Sequence, residues 1–132
     1  MSAGEQVFEV HRFQTYPQWI GSLRSSASAL AGAIGARLMD WEEDGLGPAH
    51  GFLWRLPSDR IVLIEELEHL SSAGQPRIDL QVDLTEVAES GADAILAEAL
   101  ACFELTQSVV LYTPAADLQE HAREEVRRLQ SL

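Results

Sequence analysis

The chain has 132 residues, 46% hydrophobic and 23% charged, with 21 acids against nine basic residues and a net charge of −12 at neutral pH. Those proportions argue against wholesale disorder, and a lone cysteine, Cys102, excludes both an intrachain disulfide and a paired-cysteine metal finger. A surplus of that sign repels nucleic acid and anionic lipid and draws basic proteins.

In chain order, Val7 to Phe13 mixes aromatic and β-branched residues and predicts a strand. Thr15 followed by Pro17 and Gln18 resembles a capping box. The three- and four-residue spacing of Trp19, Ile20, Leu23, Ala27, Leu30, Ala31, Ile34 and Leu38 then predicts one helix running to about Met39. The Asp40 to Pro48 segment, rich in acids and containing Gly45, Gly47 and Pro48, reads as a loop. Phe52 to Leu56, a turn at Pro57 to Arg60, and the apolar run Ile61 to Ile64 predict a hairpin whose second strand is covered on both faces. Ile78, Leu80, Val82 and Leu84 alternate with Asp79, Gln81 and Asp83, the pattern of a strand with one wet face.

Ser90, with Asp93 three residues on, predicts the cap of a helix carrying Ile95, Leu96, Ala99, Leu100 and Phe103. Val109 to Tyr112 reads as a further buried strand. Thr113 and Pro114 predict the start of a last helix with Leu118, Ala122, Val126 and Leu129 facing inward and Arg123, Arg127 and Arg128 towards its C-terminal end. The expected order is β-α-β-β-β-α-β-α: one α+β domain over residues 1–132, with about five mainly antiparallel strands and three helices.

No secretory leader is read at the N-terminus, and Arg24 and Arg37 interrupt the best apolar stretch, so the expected location is cytoplasmic and no membrane association is expected. The absence of lysine reads as a genomic base-composition bias. No catalytic residue, cofactor or metal site is expected. Cys102 lies beside an apolar stripe and reads as an inert thiol. Gly45, Gly47 and Gly51 are misspaced for a dinucleotide loop, and no lysine serves a phosphate loop. Glu65, Glu66, Glu68 and His69 read as a solvated strand end, and the histidines His11, His50, His69 and His121 are scattered. Among 21 acids, paired-carboxylate chemistry has no pair singled out by sequence.

Charge placement carries the functional expectation. Residues 1–39 hold two acids and three arginines, residues 40–104 hold fifteen acids and three arginines, and residues 105–132 hold four acids and three arginines. The surplus therefore belongs to the middle of the chain. Asp40, Glu42, Glu43, Asp44, Glu65, Glu66 and Glu68, with Trp41 and Trp54 as aromatic anchors, are the expected docking face for a basic protein. The expected class is an inhibitor or immunity protein that covers a basic toxin, a nuclease being one such target. The alternatives are a dimeric type III-like secretion chaperone for an effector, and a small enzyme or ligand-binding domain whose pocket is assembled from distant residues.

Overall fold

A computed structural model describes residues 4–8, 13–72 and 74–132. The strands are β1 (Glu5–Val7), β2 (Pro17–Leu23), β3 (Met39–Glu43), β4 (Gly47–Arg55), β5 (Ile61–Leu67), β6 (Ile78–Asp83) and β7 (Val110–Tyr112). The helices are α1 (Ala27–Ile34), α2 (Leu84–Ser90), α3 (Ala92–Cys102) and α4 (Leu118–Gln130). The strands form one seven-stranded sheet in the order β1-β4-β5-β6-β2-β7, with β3 also pairing β4. Each pairing is antiparallel. The α+β class is therefore as expected, with more elements than the sequence pattern predicts.

The largest correction is the first helix. Pro17–Leu23 is a strand between β6 and β7, and Ile20 to Leu23 are all buried. The apolar spacing runs on across the boundary between β2 and α1, so two elements imitate one long helical stripe. Gly21 suits the strand for a spatial reason: a Cβ there would lie 3.1 Å from Leu96 of α3, so a bare backbone lets the helix settle on the sheet. The real helix start is Ser26, whose side chain accepts the Ala29 N–H, and the real stop is Gly35 in the left-handed conformation. The expected strand over Val7 to Phe13 falls at Glu5–Val7 instead. Phe8 and Phe13 lie outside any strand, and residues 9–12, with His11, lie outside the described residues.

Asp40 to Pro48 is likewise no loop. Met39–Glu43 and Gly47–Arg55 form a hairpin closed by the Leu46 N–H on the Glu43 carbonyl at 2.9 Å, with Gly45 at φ +77° supplying the turn. Pro48 lies just before the first β4–β5 pair, Ala49 with Leu67, so its missing N–H falls outside that ladder. The hairpin of β4 and β5 forms as expected and extends to Leu67.

β6 differs from its expected half-wet form, because Asp79 and Asp83 are both buried. Asp83 caps α2 by accepting the Thr85 N–H at 2.9 Å, and it also holds the Thr15 N–H and hydroxyl. Burial works against its carboxylate, but the hydrogen bonds from Thr85 and Thr15 outweigh that and hold its pKa below the ordinary value. Gly91, at φ +83°, separates α2 from α3 and occupies the cap position expected for Ser90. Ser90 instead ends α2 and accepts from Arg60, which also pairs Glu86 and Glu98.

β7 is an edge strand, not a buried one, and its Tyr112 is 57% exposed. α4 starts at Leu118, later than Thr113 and Pro114 suggest, with Ala122 buried and Leu118, Val126 and Leu129 packed partly against the core. α1 contacts β4 and β5, α2 contacts β6, α3 contacts β2, and α4 lies on α2. The core between sheet and helices includes Phe52, Trp54, Val62, Ile64, Ile78, Leu80, Val82, Ile95 and Leu96. Full burial of each such aliphatic or aromatic side chain contributes about 1.5–3 kcal/mol.

Candidate functional site

Directly paired residues in a sheet share a face, and successive residues alternate. By register, Asp40 and Glu42 of β3 therefore lie on the side of His50 and Pro48, whereas Trp41 and Glu43 lie on the side of Ala49 and Gly47. The same rule separates Glu65 from Glu66, which point to opposite faces of β5. The eight expected docking residues thus divide into four exposed acids, the half-buried Trp41 and Glu43 of β3, and a buried pair within the sheet.

The exposed set is Asp40, Glu42, Asp44 and Glu68. Asp40, Trp41, Glu42, Pro48, Ala49, His50 and Glu68 line an open concavity of about 420 Å³ at the sheet edge. Among the described residues, these four carboxylates form no ion pair, because the arginines that pair do so elsewhere: Arg55 with Glu5 and Asp59, Arg60 with Glu86 and Glu98, Arg77 with Asp79, and Arg128 with Glu125. β3 pairs only with β4 among the described residues, which leaves main-chain donors and acceptors along its other edge.

The buried pair is internal, contrary to its expected place on a solvated strand end. Glu66 is 7% exposed and lies under the start of α1, where its carboxylate accepts the Ala27 N–H at 2.8 Å and the Ser71 hydroxyl at 2.6 Å. His50 Nε2 lies 3.1 Å from the same carboxylate. A helix N-terminus presents unpaired N–H groups and positive potential, so a carboxylate there is stabilising. Glu66 thus ties α1, β4 and the segment after β5 together from the inside.

Glu65 is 3% exposed on the other face. Register places Met39, Gly51, Glu65, Asp79, Ser22 and Tyr112 in one row running across the sheet. β4 contributes only Gly51 and Ala49 between β3 and β5 on this face, so side chains from β3 can cross it. Trp41 Nε1 donates to Glu43 at 2.8 Å and to Glu65 at 3.2 Å. Gln81 Nε2 donates to the second Glu65 oxygen at 3.2 Å. Burial, together with the hydrogen bond and negative charge of Glu43 and the charge of Asp79, pushes the Glu65 pKa up to about 7, against the Trp41 hydrogen bond. Asp79 takes the Ser22 hydroxyl and Arg77 Nε, and Arg77 lies over the Tyr112 ring at 5.2 Å.

Two further residues are placed by the fold. Trp54 is a core residue set edge-on to Phe52 and Phe103, not a surface anchor. Cys102 is half-buried, and burial raises its thiol pKa. No group of three or more histidine, cysteine or acidic side chains among the described residues could hold a metal ion. No helix among them is long and apolar enough to cross a membrane. No protein-family model matches the chain, and no curated protein or solved structure matches it.

Sequence reasoning missed the Glu43–Trp41–Glu65 cluster. Its traces are a tryptophan and a glutamate two residues apart, facing a strand with alanine and glycine at alternate positions, but the pairing that joins them is not local.

Proposed function

We propose that this chain is a stoichiometric protein-binding protein whose β3–β4 hairpin docks a basic partner, and that it acts as an inhibitor or immunity protein by covering the partner's cationic surface. One observation carries the reading: Asp40, Glu42 and Glu68 surround an open concavity with Trp41 at its wall, and none of the three is neutralised by an arginine of the described chain. Such carboxylates stay hydrated in the free protein, accelerate encounter with a cationic surface, and become paired on docking. Trp41 stands between Asp40 and Glu42 in β3, with its indole on the opposite face against Glu43 and Glu65, and so holds the hairpin that presents them. The outer edge of β3 offers main-chain groups to an extended segment of the partner, which aligns its side chains with the acidic positions.

The reading is tested on the isolated complex. A partner recovered with the protein should bind 1:1, and its association rate should fall at least several-fold between about 50 mM and 500 mM salt. Changing Asp40, Glu42 and Glu68 together to arginine should slow association further while leaving the fold intact, as judged by circular dichroism. Indifference of the association rate to both salt and charge reversal overturns the proposal.

A further inference from the structure

We propose that Glu43 and Glu65 share one proton across β4, and that this proton fastens Trp41 and the β3–β4 hairpin to the sheet. The geometry carries the inference. Two carboxyl groups from strands that are not neighbours meet over the small residues Ala49 and Gly51, and a single indole N–H donates to both. Two ionised carboxylates this close repel, whereas an acid and a carboxylate hydrogen-bond.

The charged groups facing Glu65 from the packed elements all disfavour its ionised form, opposed by the Trp41 N–H. From β3 come Glu43 and the Trp41 N–H, β4 places Gly51 and Ala49 beside Glu65 and carries its one arginine on this face, Arg55, four residues along and paired with Glu5 and Asp59, and from β6 come Asp79 and the neutral amide of Gln81. Arg77, just before β6, is already held by Asp79 and the Tyr112 ring. His50 lies on the opposite face with Glu66. No described cation therefore faces Glu65 directly to stabilise its ionised form, and losing the proton to solvent leaves Glu43, Glu65 and Asp79 mutually repelling. Glu43, at the half-exposed edge, is the group free to move, and it takes with it one acceptor of the Trp41 N–H.

Trp41 also borders the acidic concavity, so protonation of the pair sets how firmly the docking hairpin is held. This last consequence rests on the hairpin being the docking element, whereas the shared proton does not.

The test uses the full chain without any partner. The Trp41 indole N–H resonance, assigned by its loss in Trp41→Phe, is followed by NMR from about pH 5 to about pH 9. It should shift with one midpoint near neutrality; Glu65→Gln should abolish that transition, and Glu43→Gln, which leaves Glu65 buried but removes its acidic neighbour, should move the midpoint to lower pH. Because Glu43 sits at the sheet edge, Glu43→Gln keeps the test available even if Glu65→Gln folds poorly. A resonance that stays fixed in the wild type, or that titrates unchanged in either variant, overturns the shared proton. An indole that titrates in a protein with no cationic partner would leave the latch standing and remove only the docking proposal. Salt-dependent partner binding with a silent indole would do the reverse.

Discussion

Replacing Glu65 by glutamine should change how stability depends on pH, with a sign and size that follow from its surroundings. Its pKa rises from 4.5 in a free carboxyl to about 7 in the fold. The folded chain therefore holds this proton more tightly than the unfolded chain does. The associated stability is fully present below about pH 4.5, declines as pH rises, and is gone above about pH 7. At ~1.4 kcal/mol per pKa unit the whole effect is about 3 kcal/mol. Glutamine mimics the protonated acid, since it can accept from Trp41 and donate to Glu43 at any pH. Urea unfolding followed by tryptophan fluorescence should therefore show wild type losing that amount, relative to Glu65→Gln, between about pH 5 and pH 8. Parallel stability curves for the two proteins across this window would refute the reasoning, because every other titrating group is common to both.

Glu66→Ala should destabilise the chain by about 2–3 kcal/mol, since it strips an acceptor from the Ala27 N–H and the Ser71 hydroxyl inside the fold. A loss below half a kcal/mol in denaturant titrations would mean water replaces the carboxylate without penalty. Gly51→Ala places a Cβ 1.8 Å from the Ile64 carbonyl oxygen, so a loss of about 3 kcal/mol or outright failure to fold is expected, visible as a collapsed melting transition. Gly32→Ala within α1 meets nothing within 4 Å and should instead raise stability by about 0.5–1 kcal/mol; a fall in Tm would show that α1 is packed more tightly there than its geometry indicates. Asp83→Ala removes the α2 cap and the anchor of Thr15, with an expected cost of about 1–2 kcal/mol at neutral pH. Because the Asp83 pKa lies below its ordinary value, that stability is present above the unfolded pKa of 3.8 and is lost as pH falls through the lower folded value. A difference from wild type that persisted in strong acid would contradict the capping role.

Local pattern was sufficient wherever an element's period and its punctuation agreed. The β4–β5 hairpin and the apolar stripes of α3 and α4 were legible, because each keeps one spacing throughout, and β6 was legible as a strand, though its second face is buried and Leu84 already belongs to α2. The same pattern failed at Pro17–Leu23, where Trp19, Ile20 and Leu23 continue the spacing of α1 although they belong to a strand. It failed again at Met39–Glu43, where the strand-averse Asp40, Glu42 and Glu43 outnumber the strand-favouring Trp41 and the strand exists because β4 offers it a partner.

The placement of the acids shows the same division. Their gathering in the middle of the chain, and hence the sign of the field, is a property of composition and order alone. Which of them meet water is not. Glu65 and Glu66 are neighbours in sequence, yet the pleat sends one into a carboxyl pair with Glu43 and the other beneath the N-terminus of α1. Both outcomes require strands and helices distant in sequence to be in place first. Sequence determines how many charges the molecule carries and in which segments; only tertiary pairing decides which are hydrated, which are capped and which must share a proton, because desolvation depends on what comes to lie within a few ångströms through space.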